Sequence, residues 1–582
     1  MRIAVFLLLA GFVALAARGD GAVDAPSPST LDRSRDTVHA LVVFVRFPDD
    51  ESQMAEWPLR DVSGRPRSPR QLPPFGINLF ETDPERVNAE SLTLGDSSLS
   101  AYFYWQSRNG PRGAHILTGD TWPRDRKGRP IVHIAARENA HYTDPIGPDG
   151  AVQNTGVGYG ELVKEILETV VRQPGFDIAD YDGDADGVLD HMFLVVRRDI
   201  AFYSAGIQSL AAHRRAGGRF PQMRFTSPRA KREVEVRAGS GNIVWIGEMP
   251  PRPSLIHEYG HDLFEMVHTR IIETNDVPFD VPPRGEKGHA ACRYSAMCGV
   301  NASSAKSNYD PVPSLGSHEM IRMGWADVRR LSPNSSAPSA HTLGPLYTTG
   351  QVVEVPLAEG SSADVLRLES RQRVGYFNNY PTTFVPLPDG RPNPEYGVIW
   401  RDLAATGLLI TLSQGDPDGS ASNYRYDLLL PRNSVHFGPT RCSGTLPGCH
   451  PKEMDAETMY RPGVATQITP WTRPNVSGYT HYPDGDAPNW FAIDRIRYTG
   501  DADSTMAFDF IPDIRRAGEI VLRQDSWMGA ETSGTTFRQP VRVESGATLT
   551  VVAGTRVTFE GGLVVERGAR FVCERGAVCG RS

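Results

Sequence analysis

The spacing of apolar residues changes twice along this chain, and those two changes limit it to a modular architecture. From His39 to Phe47 the run His-Ala-Leu-Val-Val-Phe-Val-Arg-Phe is nearly continuous in apolar side chains and stops at Pro48-Asp49-Asp50, the pattern of a buried strand. Ser97 to Gln106 and Tyr159 to Val171 carry apolar residues at helical spacing, and His191 to Val196 is a second apolar strand. Helices alternating with such strands predict an α/β unit ending near Asp327, with limits set at 37–331. Beyond a Pro/Ser/Asn linker at 333–338, the pattern becomes short β-prone runs such as Val352 to Val355 and Gly407 to Leu412, separated by Gly, Pro and Asn turns. A β-sandwich-like unit over 339–513 is expected from this. In the last stretch, 517–582, the segments Ser545 to Val551, Ala553 to Phe559 and Arg567 to Cys573 each follow a Gly turn with a short strand, recurring at roughly eight residues. This predicts a short β-repeat region, solenoid or stacked hairpins; an edge continuation of the sandwich fits nearly as well.

A chain of 582 residues has room for two or three such units. Its 56 Gly and 46 Pro suit a turn-rich, strand-rich protein better than a helical bundle, and a net charge of -8 gives no reason to expect a nucleic-acid partner. Met1-Arg2, the apolar stretch Ile3 to Ala16 and then Ala17-Arg18-Gly19-Asp20 have the order of a secretory signal peptide, 1–16, with 17–36 a linker or short pro-segment. The apolar stretch is shorter than the roughly 20 residues that span a bilayer, so the expectation is export, no membrane insertion after signal removal, and a secreted or periplasmic product. The six cysteines fall in close pairs, Cys292 with Cys298, Cys442 with Cys449 and Cys573 with Cys579. In an exported chain these read as three local disulfides, although six cysteines allow 15 pairings.

The chemistry concentrates in Leu255-Ile-His-Glu-Tyr-Gly-His-Asp-Leu-Phe-Glu-Met-Val-His268. On a helix His257 and His261 share a face at i, i+4, a spacing at which two imidazoles hold one Zn²⁺. Glu258 lies beside the metal, where a carboxylate takes a proton from a water made acidic by the ion and returns it to a leaving amine. A zinc hydrolase needs a third protein ligand. His268 is the first choice, reached by a break in the helix after Phe264, with Glu265, Glu273 and Asp276 as alternatives. Tyr294-Ser-Ala-Met-Cys-Gly299 suits a Met-containing turn beneath such a metal, with Met297 as its floor. Upstream, Asp182, Asp184, Asp186 and Asp190 stand at positions 1, 3, 5 and 9 of a calcium-loop pattern with Gly187 at the sixth. Phe193 replaces the Glu of position 12, so the loop is not a full EF-hand.

Several segments, taken in order, resemble the M6, or immune inhibitor A-like, family of secreted bacterial metallopeptidases. Val42 to Asp49 resembles its opening strand, Ser98 to Ser107 its early helix and Asp180 to Val195 its Asp-rich strand entry. His257 to His261 resembles its zinc helix, Ser317 to Trp325 the helix closing its catalytic domain, and Leu368 to Gln372 with Gly407 to Ile410 the β-domain that follows. The resemblance spans about 37–512 and implies a zinc endopeptidase of metzincin-like architecture with structural calcium, acting on protein or peptide substrates. Where the family continues with Leu-Gly-Leu-Pro-Asp after the second His, this chain has Leu263-Phe-Glu-Met-Val-His268.

Two other readings belong to different classes. One is a non-catalytic surface or adhesion protein on a peptidase scaffold, suggested by the irregular stretch after His261. The other is a zinc hydrolase acting on cell-wall peptides, which needs only a different pocket around the same helix.

Overall fold

A continuous apolar strand is stable where both its faces are covered, and the first sheet of the computed structural model provides that cover. The structure describes residues 36–52, 54, 57–61, 63–92, 98–142, 157–197, 223–237, 241–245, 251–264, 315–357, 364–372, 406–414, 425–428, 459–472, 476, 489–499 and 505–581. Strand β1 (Thr37–Arg46) lies between β2 (Ile116–Trp122) and β4 (Met192–Val196), β7 (Gly241–Trp245) follows β4, and β3 (His133–Ile134) pairs with the end of β1. Every pairing in this sheet is parallel.

Alternation along β1 feeds two cores. Val38, Ala40, Val42 and Phe44 pack with α1 (Leu99–Ser107) and with Leu255, Ile256 and Tyr259 of the later helix. Leu41, Val43 and Val45 pack on the other side with Leu162, Ile166 and Val170 of α3 (Val157–Val170). Between α1 and α3, the short α2 (Asn139–Tyr142) is tied in by Glu165. That carboxylate lies 2.8 Å from His133 Nε2, accepts the Ala136 N–H at 2.9 Å and accepts the Tyr142 hydroxyl. Burial alone would raise the Glu165 pKa, but these donors hold it below the ordinary glutamate value. A hairpin of β5 (Met223–Thr226) and β6 (Glu233–Val236) packs its apolar face on the α3 side, and α4 (Pro251–Phe264) follows β7.

The next two sheets share one core. Strands β8 (Asp327–Arg330), β10 (Gln351–Pro356), β11 (Val365–Arg371), β12 (Gly407–Gln414) and β13 (Arg425–Leu428) run in the order β13-β12-β11-β10-β8. Opposite them, β9 (Ser339–Leu343), β14 (Ala492–Thr499) and β15 (Thr505–Ile511) form a sheet ordered β14-β15-β9. Leu366, Leu368, Ile410 and Leu412 of one meet Leu343, Ile493, Phe508 and Phe510 of the other. All of β11 is buried. There Glu369 Oε2 accepts the Ser317 N–H at 2.6 Å, at the start of α5 (Ser317–Arg322).

From Ile520 onward the chain winds as a three-sided parallel coil. One side stacks β16 (Ile520–Leu522), β19 (Val541–Val543) and β22 (Leu563–Val565); the second stacks β17 (Ser526–Met528), β20 (Thr548–Val551) and β23 (Arg570–Cys573). The third stacks β18 (Thr535–Phe537), β21 (Arg556–Phe559) and β24 (Val578–Arg581). The eight-residue recurrence in the sequence therefore marks successive sides. Phe537 pairs with Phe559 and Phe559 with Arg581, so a full coil is about 22 residues. The corner glycines are required by backbone geometry: Gly546, Gly554, Gly568 and Gly576 take φ of 87°, 82°, 90° and 94°. These strands pair with one another and with neither sandwich sheet.

The Cys573–Cys579 disulfide joins β23 to β24. Cys573 stacks on Val551 and Cys579 on Val557, both buried core positions, and in the last coil Cys573 is exposed and Cys579 half-buried. The other four cysteines, Met297 and the signal-like segment 1–16 lie outside the described residues. The whole is a mixed α/β chain of several sheets, with many more strands than helices. Among the described residues no helix is long and apolar enough to cross a membrane.

Candidate functional site

The helix α4 begins at the carboxyl end of the parallel sheet, where β7 is the last strand on its path. Pro251 and Pro253 sit in its first turn, the one place where a helix loses nothing from a missing N–H. Leu255, Ile256 and Tyr259 bury one side of it against β1 and α1 residues, while Ser254, His257 and Glu258 are buried too. Two ionisable side chains in succession at 3 % and 2 % exposure are unusual in a helix. His257 Nε2 and Glu258 Oε1 are 3.9 Å apart. His261 occupies the i+4 position on the same helix, whose described part runs to Phe264. His268, Glu265, Glu273 and Asp276 lie outside the described residues.

Behind the helix, Tyr259 meets residues that sequence reasoning missed. Its hydroxyl lies 2.9 Å from His115 Nε2, and its ring is edge-on to Phe103 and His191 at centroid distances of 4.9 and 4.8 Å. His115 stands 144 positions earlier in the chain and His191 directly follows Asp190. No local pattern in the sequence links these residues to the zinc-type motif.

The Asp-rich loop leads into β4 from the 3-10 turn Ile178–Tyr181. Carboxylate oxygens of Asp182, Asp184 and Asp190 lie within 4.8 Å of one another. Asp186 is not part of this group; its Oδ1 accepts the Val188 N–H at 2.7 Å, as Asp184 Oδ1 accepts the Asp186 N–H at 3.1 Å. Asp182 is buried: its Oδ2 accepts from Gly187 N–H at 3.2 Å and from Arg232, while its Oδ1 has no hydrogen-bond partner. The Gly183 N–H donates to Asp190 Oδ2 at 2.8 Å, and Gly187 turns the loop with φ of 85°. A parallel bridge from Val188 to Glu235 fixes the loop against the β5–β6 hairpin. Three carboxylates with one buried, unsatisfied oxygen make a donor set of the kind that suits a hard cation.

Compared with known proteins, the chain matches no family model, and no curated protein matches it.

Proposed function

We propose that this chain is a secreted zinc-dependent endopeptidase that hydrolyses peptide bonds in extracellular proteins, of the M6-like, metzincin-related type that its motif order resembles. The observation that carries the reading is the buried pair His257 and Glu258 on α4, with His261 one turn further on. Histidine and glutamate in succession within a helix, under apolar cover and with a second histidine at i+4, are the residue types and spacing that a zinc hydrolase uses. His257 and His261, with His268 as the proposed third ligand, would hold the ion. Zinc supplies Lewis acidity toward the scissile carbonyl and acidity to water. Glu258 accepts the proton of the attacking water at its carboxylate and passes it to the departing amine. The Cys573–Cys579 disulfide supports an oxidising, extracytoplasmic compartment.

A second ion reading is favoured by the buried, unsatisfied Oδ1 of Asp182: Asp182, Asp184 and Asp190 hold a structural Ca²⁺. Calcium-dependent melting of Asp-loop variants tests it.

The deciding experiment combines metal analysis with a labelled-casein assay on the wild type and on Glu258→Gln. The expected result is one zinc per chain in both, with turnover in the variant lower by a factor on the order of 10³. A zinc-replete Glu258→Gln chain with normal turnover would end the mechanism. A wild-type chain that binds zinc and cleaves nothing would favour the adhesion reading, and one that cleaves only cell-wall peptides the third reading.

A further inference from the structure

The proposed zinc helix has a second face, and its contacts are specific. At 3.6 residues per turn, Tyr259 projects roughly 200° around the axis from His257. The side chains that meet it, Phe103, His115, His191 and Phe193, come from α1, the segment before β2, the residue before β4, and β4 itself. All are buried. Within this enclosure the Tyr259 hydroxyl lies 2.9 Å from His115 Nε2. His115 is itself fixed, since its backbone N–H donates to Ser107 Oγ at 2.7 Å and its ring lies 5.6 Å from that of Trp325, just beyond α5.

Ring packing alone permits a helix to rotate or slide by fractions of a turn, whereas a buried hydrogen bond near 2.9 Å tolerates little of either. We propose that Tyr259 and His115 form a positioning pair that fixes the rotation of α4 about its axis and so sets the direction in which His257 and Glu258 face. The pair touches neither substrate nor metal. Its effect falls on the step that needs Glu258 aligned with the attacking water, and not on substrate docking. This inference rests on the metallopeptidase reading.

The test uses the full chain with Tyr259→Phe, His115→Leu, the double variant and His115→Gln, whose amide can still reach the hydroxyl. Steady-state hydrolysis of labelled casein is measured, together with the visible absorption of the cobalt(II)-substituted proteins. Tyr259→Phe and His115→Leu are each expected to lower kcat roughly tenfold with KM changed less than about twofold, and to shift the cobalt bands. The double variant should be no worse than either single one, because both remove the same bond. His115→Gln should recover most of the loss. Unchanged kcat and cobalt spectrum in Tyr259→Phe, or a fall in thermal stability with no change in kcat, would overturn the inference alone. A wild-type chain that takes up neither zinc nor cobalt would overturn the metallopeptidase reading, and this inference with it.

Discussion

Two regions of this molecule are built from parallel strands throughout, the first sheet and the terminal coil, and among the described residues only the first gathers candidate chemistry. In the sheet, neighbours such as β4 and β7 are joined by long connections, and a helix with His257 and Glu258 begins just past the strand ends. In the coil, neighbouring strands are about 22 residues apart and several corners are Gly turns, and the connections hold nothing longer than the 3-10 turn Ala530–Thr532 among the described residues. Its charged side chains face outward and pair along the stack, as Arg542 does with Glu519 and Glu566. The difference lies in the crossovers, whose length lets side chains from distant parts of the chain converge.

The comparison is broken most directly by cutting one leucine from each region. Leu194 in β4 and Leu549 in β20 are both fully buried. Each Leu→Ala change should cost about 2–5 kcal/mol, from lost transfer energy plus the cavity left behind. The consequences should differ. Leu194→Ala sits in a strand that touches both layers of the sheet, so zinc retention and turnover should fail with the lowered melting transition. Leu549→Ala should loosen the coil as a separate early transition and leave zinc retention intact, since stacked coils depend on their nearest neighbours. Equal loss of zinc in both variants would show that the coil and the α/β unit unfold as one.

A smaller effect is expected at the Asp-rich loop, a crossover feature with no counterpart in the coil. There the carboxylates of Asp182, Asp184 and Asp190 converge within 4.8 Å of one another, whereas Glu544 in the coil pairs with Arg523. An ion bound only to the folded state at 100 times its Kd adds about 2.7 kcal/mol. Calcium should therefore raise the wild-type melting temperature relative to chelator buffer, and Asp182→Ala with Asp184→Ala should remove that difference. Persistence of the full calcium response in the double variant would place the ion elsewhere.

These contrasts also explain what the sequence made legible. The first strand could be read because both its faces are covered, which leaves an unbroken apolar run, and the helices at Leu99–Ser107 and Val157–Val170 begin and end within two residues of the periodic stretches. The zinc-type motif is local, so i, i+4 spacing was enough to find His257 and His261. The eight-residue recurrence marks the sides of the coil and not its full turn, because the corner glycines recur once per side while the pairing partner lies a full turn away. Loop spacing treats Asp182, Asp184, Asp186 and Asp190 alike, whereas the folded loop brings the carboxylates of Asp182, Asp184 and Asp190 within 4.8 Å of one another. Tyr259 and His115 were invisible as a pair because only the fold brings them together across 144 positions.

The smallest expected effect concerns pH, and it separates the helical tether of the sheet from the strand-only coil. Glu165 joins α3 to β3 and α2 through His133, Ala136 and Tyr142, and these donors hold its pKa below the ordinary 4.5 against the opposing pull of burial. The sign follows from linkage. The unfolded chain binds the proton more readily than the folded one, so the carboxylate contributes stability above pH 4.5 that is lost as pH falls through the lower folded pKa. The group is partly open to solvent, so screening keeps the contribution to about 1 kcal/mol or less. Glu165→Gln should therefore lower the melting temperature slightly at pH 7, and the gap to wild type should close as both are acidified below pH 4.5. The early coil transition isolated by Leu549→Ala should not respond to this substitution at any pH. A gap that widens on acidification would mean that Glu165 is protonated in the folded chain and that its hydrogen bonds, not its charge, hold α3 to the sheet.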